Sequence, residues 1–263
     1  MKHCLAFVFA MFFAFVSVSS TVSVAAPSEW VSFTLERDRS SGDSIQARFQ
    51  DGERGRSGSN WSSGFRPSEL IGLDHAGFRS AGGRTLGFAV TREAGRLDCS
   101  GSGGSSRAAG HCRFTPDAGF TQLLGARGIG RPTRDQAFAL MAINARRALI
   151  DGLAAARYPT PSLDELVALT ALGADGRYIA ELARTSFRPA DIDSLIAFKA
   201  LGITPDFVLG FQRIGYRNLP ADRLIELKAL GITPEFVRAQ VPHGQALPPV
   251  NRLVELKLFG RLR

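Results

Sequence analysis

The stretch LIAFKALGITPDFV at residues 195–208 returns almost unchanged as LIELKALGITPEFV at residues 224–237, which begins 29 residues later. A fixed period of this length, kept over several columns of sequence, is typical of proteins built from tandem structural repeats. The C-terminal half of the chain is therefore predicted to be a repeat array.

Outward from these two copies, the same 29-residue period extends to further repeats in three columns. They are a leucine column, a glycine column and an aromatic column: Leu166, Leu195, Leu224 and Leu253; Gly173, Gly202, Gly231 and Gly260; Tyr158, Phe187 and Tyr216. The period predicts repeats at 158–186, 187–215 and 216–244, with a partial repeat at 245–263.

Each repeat carries the start and stop signals of two short helices. Gly231 stands where a helix can end in the left-handed conformation that costs glycine little. Thr233 can cap the next helix, and Pro234 suits its first position. In the first repeat, Ser162 and Glu165 form a capping-box pattern. We therefore expect helix pairs that bury their apolar faces only by stacking on neighbouring pairs.

The part of the chain before the repeats has a different pattern. Residues 26–124 are predicted to be β-rich, because 30–35, 44–49 and 85–90 resemble strands between polar turns. Residues 55–64 are predicted to be a loop. Residues 125–157 are predicted to be a connecting helical segment, and the fold class is therefore α+β.

The N-terminus has the order of a secretory signal peptide. Lys2 and His3 precede an apolar run at 5–18, and small residues follow up to Ala26. Residues 1–25 are predicted to be a cleaved signal, with an uncleaved anchor as the alternative. The apolar run is short for a bilayer span, and no transmembrane segment is expected in the mature chain, which we expect in the periplasm or outside the cell.

Cys99 and Cys112 are the cysteines that remain after signal removal. In an oxidising compartment two such cysteines indicate a disulfide. The residues between them, SGSGGSSRAAGH, are interpreted as a flexible loop joining strands at 96–99 and 111–114. A metal site that includes His111, or a free thiol pair, is the alternative.

No pattern of catalytic or cofactor-binding residues is recognisable. The four histidines are scattered without metal-ligand spacing, and neither a nucleophile elbow nor a phosphate-binding loop is found. Residues 125–130 are glycine-rich but are interpreted as a turn into a helix. We therefore expect no catalytic residues, no metal and no cofactor.

Apart from Lys2, every lysine lies at one repeat position: Lys199, Lys228 and Lys257. This lysine row would line one face of a stacked array and could bind an anionic partner. The alternative is a solubilising row of cations that favours the negative ends of the helix dipoles. The formal net charge of +8 suits an anionic envelope surface, or only a mixed, solvated surface.

The copies quoted above, with Gly-aromatic pairs such as Gly215-Tyr216, resemble repeats in extracytoplasmic parts of bacterial proteins. Some of these proteins are similar to β-lactam-sensing antirepressor metallopeptidases. Residues 91–95 also resemble part of a region that precedes such repeats. The chain lacks the HExxH motif and the membrane bundle of those sensors, so the resemblance implies an envelope accessory or sensing module without peptidase activity.

The leading functional hypothesis is a non-catalytic exported module that binds a protein or an envelope component through the repeats. One alternative is DNA binding by helix-hairpin-helix-like units, which would need a second glycine beside Gly202 and is disfavoured by the signal sequence. A further alternative is an enzyme with an unrecognised site in the β-rich part.

Overall fold

The structure is a computed structural model that describes residues 30–37, 44–51, 60–241 and 245–260. The predicted signal peptide at 1–25 lies outside the described residues. The described parts form an antiparallel sheet followed by paired helices, so the α+β prediction is confirmed.

Six antiparallel strands make up the sheet, in the order β3-β2-β1-β6-β5-β4. Their bounds are β1 (Trp30–Arg37), β2 (Ile45–Asp51), β3 (Asn60–Phe65), β4 (Arg84–Arg92), β5 (Gly95–Gly104) and β6 (Arg107–Pro116). Strand β1 pairs with β6 as well as with β2, which brings the first and last strands together. The predicted loop at 55–64 is wrong for residues 60–64, which belong to β3; residues 52–59 are outside the described residues.

The inner face of the sheet carries the apolar side chains and is strongly curved. Phe33 of β1 and Phe88 of β4 are separated by two strands in the sheet, yet their ring centroids lie 5.0 Å apart. Arg92, on the β4 edge, lies over the ring of Trp61 on the opposite edge, 4.6 Å from its centroid. The sheet therefore rolls around its own core, and its outer face carries mainly polar side chains.

The predicted disulfide joins Cys99 to Cys112. The two residues are directly opposite in the β5–β6 pairing, with Cα atoms 3.9 Å apart. The predicted flexible loop between them is wrong. The strands continue past the cysteines to a two-residue turn at Ser105 and Ser106, where both residues have positive φ, as type I′ hairpin turns require.

Glycines in this hairpin serve close backbone approach, which explains why the sequence resembled a loop. A Cβ added to Gly110 would lie 2.2 Å from the Ser100 carbonyl oxygen, and one added to Gly101 would lie 2.2 Å from that of Ala109. Both strands are thus too close for side chains at this point.

Removing the disulfide is expected to destabilise the protein without unfolding the hairpin pairing. The double variant Cys99→Ala/Cys112→Ala should lose about 3 kcal/mol of unfolding free energy, since the crosslink restricts the unfolded chain. Urea denaturation measures the loss, and reduction of the wild type should reproduce it. Equal stability of the oxidised, reduced and variant proteins would contradict this expectation.

Helices follow the sheet in two rows. Helix α1 (His75–Arg79) lies between β3 and β4, and α2 (Ala118–Ala126) comes directly after β6. The first row is α3 (Arg134–Ala142), α5 (Leu163–Ala171), α7 (Ile192–Ala200), α9 (Ala221–Ala229) and α11 (Val250–Phe259). The second row is α4 (Arg147–Ala155), α6 (Gly176–Ala183), α8 (Pro205–Ile214) and α10 (Pro234–Gln240). Each helix packs on the next member of its own row, as expected of a short α-solenoid.

The repeat columns have the roles that their residue types predict. All members of the leucine column from Leu166 to Leu253 have no exposed surface. Gly173, Gly202 and Gly231 adopt positive φ after the first helices. Thr204 and Thr233 cap the second helices through their side chains.

The array begins one unit earlier than the predicted start at residue 158. Helices α3 and α4 start 29 residues before α5 and α6, within the segment predicted to connect the two halves. Asn144 takes the glycine position with φ of 62°, and asparagine tolerates this conformation better than most residues. Ala137 takes the leucine position and is buried.

The turn between β4 and β5 docks into this first unit and caps it. Arg92 Nη1 donates to the carbonyl oxygens of Met141, at 3.0 Å, and of Ala142 at the end of α3. Glu93 accepts a hydrogen bond from the backbone N–H of Arg147, the first residue of α4, at 2.7 Å. A cation thus meets a helix C-terminus and an anion a helix N-terminus, as the helix dipoles favour.

Glu93 replaces a capping residue that the first unit lacks. Arg146, at the N-cap of α4, makes no side-chain capping bond, whereas Asp175 caps the equivalent helix α6. The sheet therefore serves as the N-terminal cap of the array, a role that terminal units of repeat proteins must fill.

Candidate functional site

The lysine row occupies equivalent places in three successive units, and each lysine lies over an aromatic ring. The Lys199 Nζ is 4.5 Å from the ring centroid of Tyr178. The corresponding distances are 4.9 Å from Lys228 to Phe207 and 4.8 Å from Lys257 to Phe236. The attraction between a cation and the face of an aromatic ring accounts for this geometry.

Each of these contacts joins one unit to the preceding one. The lysines belong to α7, α9 and α11, and the rings to α6, α8 and α10. The three rings form an aromatic column with the same 29-residue spacing, Tyr178, Phe207 and Phe236. This column was visible in the sequence but was not predicted to have a role. The lysine row therefore has a role between repeats that neither sequence-based interpretation included.

The lysine ammonium groups still present positive charge at the surface. Among the described residues, no carboxylate lies within ion-pair distance of Lys199, Lys228 or Lys257. Lys257 is exposed and the other two are half-buried. An anionic group on a partner would thus meet cations that no acidic side chain of the described chain neutralises.

Tyrosine hydroxyls make a second kind of contact between units, which is a hydrogen bond to a backbone carbonyl oxygen. The Tyr178 hydroxyl donates to the Ile203 carbonyl oxygen at 2.9 Å, and the Tyr216 hydroxyl donates to that of Pro248 at 2.7 Å. Burial raises the pKa of Tyr178 and raises the pKa of Tyr216 to about 12. Both hydroxyls therefore stay protonated, and remain donors, at physiological pH.

Apolar side chains project from the ends of the first-row helices, at the turns before the second-row helices. This turn ridge consists of Leu172, Leu201, Leu230 and Phe259, each preceded by a small or apolar exposed residue, namely Ala171, Ala200, Ala229 and Leu258. Phe259 is 77 % exposed and Leu258 is 58 % exposed. Leu172 and Leu201 are 38 % and 37 % exposed and Leu230 is half-buried, so the ridge is most exposed at Leu258 and Phe259. Single exposed leucines are common, whereas a contiguous apolar patch is a feature of interaction surfaces.

The turn ridge and the lysine row lie at the same end of the helices. Each lysine precedes its ridge residue by two positions, in the last turn of a first-row helix. Stacked helices lie about 8–10 Å apart, so both features recur at that interval along the array. Together they offer apolar contact and positive charge in a periodic arrangement.

The other residues considered in the sequence analysis are not brought together. His75 starts α1 and His111 lies on β6, while His3 and His243 are outside the described residues. Residues 127–130 lie in the connection from α2 to α3, with positive φ at Gly128 and Gly130. Within the described parts of the chain, no group of three His, Cys, Asp or Glu side chains could hold a metal ion.

The described helices are short relative to the thickness of a bilayer. None of them alone is long and apolar enough to cross a membrane. Helices α7 and α8 reach that length and hydropathy only when taken together, and a bend of 94° separates them.

Comparison of the chain with protein-family models, with curated proteins and with solved structures finds no match. The resemblance to the repeats of antirepressor sensors therefore stays a prediction. The site has to be interpreted from its own geometry.

Proposed function

We propose that the chain is an exported, non-catalytic interaction module that binds a protein or another envelope component through its helical array. The observation that carries the proposal is the turn ridge running beside the lysine row, whose cations pair with no carboxylate of the described residues. A partner that presents apolar side chains near acidic groups would be complementary to it in both respects.

The proposed location is the periplasm or the cell exterior. The Cys99–Cys112 disulfide supports an oxidising compartment, and the predicted signal at 1–25 would deliver the chain there. A module of this kind needs no catalytic groups, because its function lies in holding a partner along a rigid, repetitive surface.

A site-specific crosslinking experiment in intact cells tests the surface directly. A photoreactive residue is placed at Leu201 on the turn ridge or, as a control, at Ala180 on the exposed side of α6. Crosslinked product is expected at Leu201 and not at Ala180, in the fraction that contains the processed chain. Equal products at both positions would count against a ridge-specific partner.

Charge variants then test the lysine row. The triple variant Lys199→Glu/Lys228→Glu/Lys257→Glu should reduce crosslinking at Leu201 at least about tenfold, because like charges would face each other. Reversal of three exposed arginines at the C-terminal ends of second-row helices, Arg184, Arg213 and Arg238, changes the net charge equally and is the matched control. Crosslinking should survive this control.

Each lysine contact is also worth about 0.5–1 kcal/mol to the stack, so the stability of the glutamate variant has to be checked by thermal melting. The corresponding Lys→Gln triple variant removes the charge without placing an acid over the rings. Undiminished crosslinking in both triple variants would discard the lysine row as a binding site. Salt-sensitive DNA binding by an unprocessed cytoplasmic chain would instead support the alternative of nucleic-acid recognition.

A further inference from the structure

The outer face of strands β1, β2 and β3 carries polar side chains in two parallel rows. Directly paired residues share a face of a sheet, and the strand register forms two trios of such residues on the outer face. They are Ser32, Gln50 and Asn60 in one row, and Thr34, Arg48 and Ser62 in the other. Each row therefore crosses the same three strands.

A groove with a volume of about 460 Å³ lies between the two rows. The rows are two residues apart along each strand, which is about 7 Å, and they extend across three strands, which is roughly 10 Å. The residues between the rows, Phe33, Phe49 and Trp61, also line the groove. Their rings lie on the inner face, where Phe49 and Trp61 stack. Backbone therefore forms the floor of the groove, and the polar side chains form its two walls.

Most polar side chains of the two walls have no partner within the described chain. Ser32 donates a hydrogen bond to the Gln50 carbonyl oxygen at 3.4 Å. No hydrogen bond or ion pair with a described residue engages the other five wall side chains. By contrast Arg107, on the same face of the sheet, pairs with Glu36 at 2.8 Å. The guanidinium of Arg48 and the amides and hydroxyls around it are therefore available to a ligand.

The charge of the walls favours an anion. Among the described residues that line the groove, Arg48 is the one charged side chain, and none is a carboxylate. An arginine stays protonated in proteins and carries five N–H donors. A ligand with negatively charged acceptor oxygens would form charge-assisted hydrogen bonds with it, which are stronger than neutral ones.

The donors approach from several directions, which favours a phosphate over a carboxylate. Thr34 and Ser62 flank Arg48 in its own row, and Gln50 lies across the groove from it. A phosphate monoester presents three acceptor oxygens and a charge of about −1.5 to −2 at pH 7, whereas a carboxylate presents two oxygens in one plane. The rest of the groove leaves room for hydroxyl groups beside Ser32 and Asn60.

We propose that this groove binds a phosphate ester of a hydroxylated molecule, with the phosphate held by Arg48 and the hydroxyls of the carrier hydrogen-bonded to the other wall residues. A free sugar phosphate and a glycerol-bearing lipid head group share this chemistry. The site is separate from the turn ridge and does not depend on the function proposed for the array.

Isothermal titration calorimetry of the processed chain with glucose 6-phosphate tests the ligand class. Saturable binding is expected in the millimolar range. Glucose should bind at least about tenfold more weakly, because it lacks the charge-assisted hydrogen bonds. Glucuronic acid has the same ring with a carboxylate in place of the phosphate ester. It should bind at least about threefold more weakly than glucose 6-phosphate, because it offers fewer acceptor oxygens.

Variants separate the groove from the general positive charge of the protein. Arg48→Gln should weaken binding of glucose 6-phosphate at least about tenfold. Arg84 is an exposed arginine on the far edge strand β4, and it also pairs with no carboxylate of the described residues. Arg84→Gln is therefore the matched control, and it should bind like the parent.

A second pair of variants tests the wall opposite Arg48. Gln50→Ala should weaken binding about threefold, since it removes a neutral hydrogen bond. Gln46 lies on the same strand and the same face but outside the groove, so Gln46→Ala should bind like the parent. All four substituted side chains are exposed, and the melting temperature should therefore change little in any of the variants.

Sedimentation with phosphatidylglycerol vesicles distinguishes the two sources of the phosphate. A lipid source predicts that the parent and Arg84→Gln sediment with the vesicles and that Arg48→Gln does not. A free sugar phosphate predicts binding of glucose 6-phosphate with equal sedimentation of the parent and Arg48→Gln. Three results would each overturn the proposal: glucuronic acid binding as tightly as glucose 6-phosphate, equal losses from Arg48→Gln and Arg84→Gln, or no saturation below about 10 mM together with no Arg48-dependent sedimentation.

Discussion

Replacing Leu224 with alanine is expected to lower the free energy of unfolding by about 3–5 kcal/mol. Leu224 lies in α9 between α7 and α11 and has no exposed surface. Truncation would leave a cavity between stacked units, and helices held on both sides cannot move inward to fill it. Urea denaturation followed by far-UV circular dichroism measures the change.

Leu201→Ala provides the matched control for this cavity. Leu201 is the same residue type in the same array, but it is 37 % exposed on the turn ridge, so its truncation should cost no more than about 0.5 kcal/mol. Similar losses from the two variants would mean that the leucine column is not the core of the stack. The control also shows that ridge positions can be altered for binding experiments without unfolding the array.

The array was predictable because the same local signals for ending and starting a helix recur every 29 residues. Gly202 and Thr204 end one helix and begin the next by local rules, and the same rules act 29 residues later at Gly231 and Thr233. The first unit was not predicted because Asn144 replaces the glycine. In addition, its second helix is capped by Glu93, a residue that is distant in sequence. A cap supplied by another domain leaves no local pattern.

The sheet was harder to predict where glycine is abundant. Glycine has no side chain with which to show the alternation typical of strands, so the β5–β6 hairpin resembled a flexible loop. The structure shows that Gly101 and Gly110 are required by close contact. Alternation was correctly interpreted at β1 and β2, where Phe33 and Phe49 mark the buried face.

The sites needed knowledge of neighbours that sequence spacing does not provide. The lysine row was visible, but its contact with rings such as Tyr178 depends on how one unit stacks on the next. The neighbours of Trp30 on the outer face of the sheet depend on the pairing of β1 with β6, which are distant in sequence. Helix stacking thus decided the contacts of the lysines, and strand pairing decided the neighbours of Trp30.

Replacing Arg92 with methionine is expected to cost about 3 kcal/mol or more of unfolding free energy. Its guanidinium donates to two carbonyl oxygens at the end of α3 and lies over the rings of Trp61 and Phe65. Burial lowers the pKa of Arg92, but an arginine remains protonated in proteins. Methionine keeps apolar contact with the rings while leaving the carbonyl oxygens without their charged donor.

The comparison with Arg96→Gln isolates this effect from a loss of charge alone. Arg96 forms an exposed ion pair with Asp98, and such pairs contribute little to stability. Arg92→Lys keeps the charge but not the planar fork, so its stability should lie between those of the wild type and Arg92→Met. Equal stability of Arg92→Met and Arg96→Gln would contradict the docking role.

The unfolding curves also test whether the sheet caps the array. If Arg92 couples the two parts, the fluorescence of Trp30 and Trp61, both in the sheet, and helical circular dichroism should report one shared transition in the wild type. In Arg92→Met the two signals should separate, with the fluorescence of the sheet and the ellipticity of the helices changing at different urea concentrations. Coincident transitions in the variant would mean that other contacts, such as Phe114 with Phe138, suffice to hold the cap in place.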